Sequence, residues 1–312
     1  MPGVKQLAGR EEMMAPGHRA CAGCLPMTAI RQILLTAGKD TVCGCATGCV
    51  EVVTSIYPYT AWRTPFIHNA FENSAATISG AEAAYQSLRR QGKVDKDIKF
   101  IAFGGDGGTY DIGLQSLSGA MERGHNMLYV CYDNEAYMNT GIQRSGGTPK
   151  GTATSTTPVG KVRPGKQEYA KALTDIMIAH NIPYVGQATA GYPKDLSDKV
   201  EKALTIEGPA FMNVLAPCTR GWRYPMEESM EIARLAVDTC FWPLYEVENG
   251  VFRVTRKPKE KKPVAEWLKK QGRFRHLFKE ENKHIIDDIQ SQVDENWDWL
   301  LKREEMTRSE AS

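Results

Sequence analysis

The stretch Ile98-Lys-Phe-Ile-Ala-Phe103-Gly104-Gly105-Asp106-Gly107-Gly108 decides the fold, together with Asn134, which 26 residues separate from Gly107. An apolar run that stops at glycines reads as a parallel strand buried on both faces. A second run at 127–132 ends at Asp133-Asn134-Glu135-Ala136, and between the two runs residues 112–123 carry helical spacing. This β-α-β unit predicts an α/β fold with a doubly wound, mainly parallel sheet, whose ligands sit beyond the carboxyl ends of its strands.

Working outward, residues 28–37 place Ile30, Ile33 and Leu34 on one helical face, 40–44 read as a short strand, and the Ala-rich segment 74–91 reads as a close-packing helix. Downstream, helix 168–180, strand 184–188, helix 196–205 and strand 211–216 keep the same rhythm, which stops at Cys218. Residues 244–254 read as a hairpin with Asn249-Gly250 at its turn, and 285–302 as a charged amphipathic helix. The expected division is an α/β part over 1–240 and a C-terminal hairpin and helical extension over 241–312 that grips another subunit. Residues 1–17 are expected to be an arm that crosses something else. Residues 145–166, rich in Gly, Thr, Pro and Lys, have the length of a functional loop and are expected to cover the active site.

With 312 residues, 42% of them hydrophobic, the chain buries a full core, and 39 Lys+Arg against 37 Asp+Glu leave a net charge of +2. So even a balance argues against nucleic acid or an anionic membrane as the main partner. The N-terminal stretch lacks the layout of a secretory signal, and no apolar run is long enough to span a bilayer, so a cytoplasmic protein is expected. Eight cysteines in such a chain point to metal or cluster ligation rather than to a disulfide framework.

Two groups of residues carry chemistry. Glycines after a strand let backbone approach phosphate oxygens, and the carboxylate of Asp106 suits a hard cation. Mg²⁺ prefers oxygen ligands shared between protein and phosphates, and the parallel neighbour of the first strand would bring the Asn134 amide oxygen and the Ala136 carbonyl alongside. A lone Gly-Asp-Gly is also an ordinary turn; the paired strand ends favour the site. The second group is Cys21-Ala-Gly-Cys24, with Cys49 and Cys218. Four thiolates suit zinc or an iron–sulfur cluster, and spacing alone does not choose between them. Cys131 and Cys240 read as small buried hydrophobes, and Cys43-Gly-Cys45 is too short for a usual chelate.

Gly-Asp-Gly followed at this distance by Asn resembles the thiamine diphosphate signature. The segments at 104–113 and 132–141, Ala46-Thr-Gly-Cys49, and Tyr57-Pro-Tyr-Thr-Ala-Trp62 resemble more specifically the β subunits of pyruvate:ferredoxin oxidoreductases, over about residues 17–218 and more weakly through the tail. The resemblance implies Mg²⁺ on Asp106, Asn134 and the Ala136 carbonyl, thiamine diphosphate against Gly48, Cys49, Gly105, Asp106, Gly107, Gly108, Asn134 and Ala136, and Asn139 and Thr140 facing the thiazolium and substrate as catalytic residues. It implies a [4Fe-4S] cluster on Cys21, Cys24, Cys49 and Cys218. The reaction implied is oxidative decarboxylation of a small 2-oxoacid, most simply pyruvate, with coenzyme A accepting the acyl group and ferredoxin the electrons. Oxalate, needing no coenzyme A, 2-oxoisovalerate and 2-oxoglutarate stay open, as does a zinc-stapled, non-catalytic scaffold. The glutamate that activates the aminopyrimidine is expected on an α-type partner subunit, and further clusters on a ferredoxin-like subunit. Glu72 is instead read as serving a helix N-terminus. One departure stands out: Leu25 occupies the position where the family has Gly after Cys-x-x-Cys.

Lesser expectations are solvated Arg31 and Arg144, structural His68 and His125, and Trp62 at a subunit contact.

Overall fold

The computed structural model describes residues 4–310. Its strands are β1 Thr41–Ala46, β2 Phe66–Asn69, β3 Lys99–Gly105, β4 Leu128–Asp133, β5 Tyr184–Thr189, β6 Ala210–Leu215, β7 Leu244–Glu248 and β8 Val251–Arg256. They form one sheet in the order β2-β1-β3-β4-β6-β5-β7-β8. The first six are parallel, while β7 runs antiparallel to β5 and β8 antiparallel to β7. The central strands β4, β5 and β6 are buried along their whole length, which is why they read as unbroken apolar runs. Helices Leu25–Ala37 and Pro193–Thr205 cover one face of the sheet, and Ser74–Arg90, Leu114–Glu122 and Leu173–Ile178 the other.

The order places the site. Strands β1, β3, β4 and β6 are consecutive neighbours, so their carboxyl ends lie side by side. Those ends lead into Gly48 and Cys49, Asp106, Asn134, and Cys218 respectively, four segments remote in sequence that the sheet gathers at one edge.

Several expectations need correction. The helix after the Gly-Asp-Gly turn begins five residues early, as a π-helical turn Gly107–Ile112 followed by Leu114–Glu122. Helix 168–180 shrinks to Leu173–Ile178, because Lys171 is held in the loop by its own N–H to the Gly146 carbonyl and by its ammonium on Tyr110 O and Asp111. Strand β2 and helix Ser229–Asp238 were not foreseen.

The N-terminal arm, of which residues 1–3 lie outside the described residues, packs on its own chain. Met13 and Met14 are buried in the core beside Trp62; the Met13 carbonyl accepts from the Arg63 N–H, and the N–H of the next residue, Ala15, donates to the Ala61 carbonyl. Trp62 is correspondingly 5% exposed, stacked on Phe66 and donating its Nε1–H to Thr54 Oγ1 at 2.8 Å. It is therefore a core residue, and the exposed aromatics of its segment are Tyr57 and Tyr59, at 94% and 76%.

The loop 145–166 is no free cover. Ser145, Thr148, Thr152 and Lys166 are buried, and only the stretch around 155–163 faces outward. The C-terminal hairpin extends the same sheet, and helix Lys283–Glu310 buries Ile285, Ile289, Val293 and Leu300 against this chain.

Candidate cofactor site and cysteine quartet

Asp106 follows the last residue of β3 and is 1% exposed. Its carboxylate accepts hydrogen bonds from Ser145 Oγ and, at 3.3 Å, from the Asn134 main-chain N–H. Burial, and after it the charge of Asp133, pushes its carboxyl well above the usual range. The Asn134 side-chain amide lies 2.8 Å from the Ala136 carbonyl oxygen and 3.0 Å from Asp106 Oδ1. In one amide orientation its nitrogen donates to both oxygens; in the other, three oxygens face one another. That spacing matches the edge of about 3.0 Å in a Mg²⁺ octahedron with bonds of roughly 2.1 Å. A hard cation would offset the crowding of acidic oxygens that raises Asp106, so these residues fit the metal.

The ten residues assigned to the cofactor from sequence, Gly48, Cys49, Gly105, Asp106, Gly107, Gly108, Asn134, Ala136, Asn139 and Thr140, all line one small cleft. Asn139 and Thr140 are exposed at its mouth, where the Thr140 hydroxyl bonds to the Gln143 side chain. The glycines serve close approach rather than positive φ, since none of Gly104, Gly105, Gly107 and Gly108 is left-handed. A Cβ on Gly107 would stand 2.3 Å from the Tyr137 ring, and one on Gly108 2.8 Å from the Phe71 carbonyl oxygen. Tyr137 Oη in turn donates to the Gly107 carbonyl at 2.7 Å. The chain thus folds tightly on itself here, and a π-helical turn starting at a ligand loop is a frequent functional-site feature.

Cys24, Cys49 and Cys218 are half-buried and Cys21 is exposed. Burial first, and then the other cysteines of the quartet, pushes the Cys24 thiol up to about 11 and Cys49 up to about 12. Burial raises Cys218 as well, against the amides of Gly221 and Arg220, with Gly221 N–H donating to its sulfur at 3.3 Å. The four thiols are therefore close enough to act on one another. Among the described residues, no three His, Cys, Asp or Glu side chains are gathered as a single metal ion requires.

Leu25 causes no difficulty in the Cys-x-x-Cys turn. It is the first residue of helix Leu25–Ala37, with proline following, and the left-handed residue is Gly23 at φ 71°. Cys43, Cys45, Cys131 and Cys240 are buried hydrophobes. His125 bonds Glu82 at 2.9 Å, and His68 lies 3.1 Å from Thr47 Oγ1. Arg31 pairs with Glu12 near the surface, Arg144 is exposed, and exposed Glu72 immediately precedes Asn73, the N-cap of helix Ser74–Arg90.

Sequence reasoning missed the groups beneath the site. Asp133 accepts from Tyr110 Oη at 2.5 Å and from the Glu135 N–H at 2.9 Å; burial, then Glu135, pushes it up to about 7. Thr148 Oγ1 donates to the Glu135 carbonyl at 2.7 Å, and Glu135 pairs with Arg273. The adjacency of Asp133 and Glu135 to Asn134 was the available signal for those two; nothing in the sequence connects them to Arg273.

Residues 43–214 match the family described as the C-terminal TPP binding domain of thiamine pyrophosphate enzymes. Pyruvate synthase subunit PorB of Thermotoga maritima is 54% identical, covering 98% of this chain and 97% of its own, and that of Methanocaldococcus jannaschii is 58% identical, covering 92% and 95%. Ketoisovalerate oxidoreductase subunit VorB of Pyrococcus abyssi is 45% identical, covering 95% and 94%. A solved 2-oxoglutarate:ferredoxin oxidoreductase from Magnetococcus marinus shares the fold, with a TM-score of 0.55 at 22% identity over 72% of this chain and 79% of that chain. A parallel sheet ending in this cleft, with relatives matched over nearly their whole length, leads to one assignment: the chain belongs to the PorB-type β subunits of the thiamine diphosphate-dependent 2-oxoacid:ferredoxin oxidoreductases.

Proposed function

We propose that this β subunit takes part in the oxidative decarboxylation of pyruvate with coenzyme A and ferredoxin, with Mg²⁺ and a [4Fe-4S] cluster both held on this chain. Asp106, Asn134 and the Ala136 carbonyl hold the cation that anchors the diphosphate, Gly107 and Gly108 keep the main chain free of Cβ atoms beside it, and Asn139 and Thr140 meet the reacting end at the mouth. When bound, thiamine diphosphate supplies the nucleophilic carbon that lets a 2-oxoacid lose CO₂. Cys21, Cys24, Cys49 and Cys218 hold the cluster, which takes electrons one at a time. The observation that carries this reading is Cys49, which lines the cleft and also belongs to the quartet, so a cluster held there would lie next to the cofactor and could serve as its first electron acceptor.

The described half-site has no glutamate assigned to the aminopyrimidine, so an α-type subunit supplies it, and a ferredoxin-like subunit carries electrons onward. Tyr57 and Tyr59, solvent-facing in the segment that follows the Cys49 helix, suit the α-type contact, as the half-exposed Trp299 of the 241–312 extension suits another. Eight free cysteines agree with a reducing cytoplasm, and among the described residues no helix is long and apolar enough to cross a membrane.

The identity to PorB subunits favours pyruvate, and the likeness to VorB makes a branched 2-oxoacid the second reading. The test is anaerobic ferredoxin reduction by the intact complex with pyruvate, 2-oxoisovalerate, 2-oxoglutarate or oxalate, each with and without coenzyme A. The fastest reduction is expected with pyruvate and only with coenzyme A. Preference for another acid, or full rate without coenzyme A, contradicts the assignment.

A further inference from the structure

Arg273, on the 3-10 helix Gly272–Phe278, is 1% exposed. One guanidinium nitrogen pairs with the equally buried Glu135 carboxylate, and Nε donates to Gln271 Oε1 at 2.9 Å. The guanidinium carbon lies 3.9 Å over the Trp222 ring, within cation–π range. The remaining nitrogen, Nη1, is buried without a hydrogen-bond partner. Trp222 closes the four-residue helix Thr219–Trp222, whose N-cap is Cys218, and its Nε1–H donates to the Asn134 carbonyl at 2.8 Å. One cation from the C-terminal extension therefore stands between the loop bearing Asn134 and Ala136 and the turn presenting Cys218.

Its position needs a reason other than stability. A buried ion pair adds little over apolar side chains of the same volume. Glu135 also sits at φ 65°, a left-handed conformation unfavourable for a residue with a Cβ. The pair with Arg273 and the hydroxyl of Thr148 on the Glu135 carbonyl hold that residue in place. Of the two charges, the guanidinium is the one stacked on the helix that Cys218 caps.

We propose that Arg273 is a positioning residue that ties the cation-binding loop to the Cys218 turn, and that its charge stabilises the reduced form of the cluster at Cys218. This rests on the cluster proposed above. A fixed positive charge beside a cluster favours the more negative, reduced state, and such outer contacts are among the levers that set cluster potentials. Because Glu135 opposes that charge, the two residues act on the potential in opposite senses.

The test is an anaerobic redox titration of the intact complex, followed by EPR, of the signal that Cys218→Ala abolishes. Arg273→Gln is expected to lower the midpoint potential, Arg273→Lys to keep it near the parent value, and Glu135→Gln to raise it or leave it unchanged. A merely structural role predicts that Arg273→Gln and Glu135→Gln shift it in the same direction; that result, or no shift in either, overturns the inference. If Arg273→Gln alone fails to assemble, the pair Arg273→Gln with Glu135→Gln leaves no unpaired buried charge and is compared with Glu135→Gln alone; a potential in the pair no lower than in Glu135→Gln overturns it equally. Absence of any Cys218-dependent signal in the parent complex instead refutes the cluster, and the inference with it.

Discussion

Asp106→Asn separates what the site does for binding from what it does to stability. The carboxylate is 1% exposed, and burial together with Asp133 opposes its ionisation. Asparagine has the same shape, can still accept from the Asn134 N–H, and can donate to the Ser145 hydroxyl in place of accepting from it. The cofactor-free complex therefore loses a strained charge without losing volume. Replacing buried charge by neutral side chains of similar volume is often stabilising by about 1–4 kcal/mol, and a gain within that range is expected. Binding responds in the opposite sense, because the only anionic oxygen of the three that converge is removed. A ligand at about 100 times its Kd stabilises the folded state by about 2.7 kcal/mol. Thermal unfolding of the cofactor-stripped complex, with and without Mg²⁺ and thiamine diphosphate, reads both effects. The expected outcome is an upward Tm shift on loading in the parent, and in the variant a Tm at or above the parent's unloaded value with no shift on loading. A variant that is less stable when stripped yet gains the full Mg²⁺-dependent shift would refute the reasoning.

Further outcomes follow from the same geometry. Asp133 has a folded pKa near 7, above the unfolded carboxylate value, so its contribution is fully present below about pH 4 and is lost as pH rises through 7. The stripped complex should accordingly resist urea less at pH 8 than at pH 5.5, and saturation with Mg²⁺ and thiamine diphosphate should flatten that slope; a stripped complex more stable at pH 8 would contradict it. Gly107→Ala puts a Cβ 2.3 Å from the Tyr137 ring and should destabilise by about 1–3 kcal/mol, whereas Gly80→Ala, in helix Ser74–Arg90 with no neighbour within 4 Å, should stabilise by up to about 1 kcal/mol. Denaturant midpoints of the two variants check the pair, and similar shifts in both would count against close approach as the reason for Gly107.

The parallel core was legible because strands buried on both faces must be apolar throughout and must stop where backbone turns toward ligand, as 98–108 and 127–134 do. The meeting of Asp106, Asn134 and Ala136 beyond neighbouring strand ends was legible for the same reason. The loop 145–166 was not, since its Gly, Thr, Pro and Lys read as a cover over the active site, while here the hydroxyls of Ser145 and Thr148 satisfy buried acceptors under the site. Trp62 was misplaced because an aromatic with a polar edge suits an interface or a core equally, and only the position of Thr54 decides between them. The Arg273–Glu135 pair spans 138 residues of sequence with no periodicity to join them.

The most direct measurement compares pyruvate–CO₂ exchange with ferredoxin reduction in the Cys218→Ala complex, assayed anaerobically side by side. If this chain joins a decarboxylating site to its first electron acceptor, exchange persists in part while ferredoxin reduction is blocked. Equal retention of both activities would contradict that account.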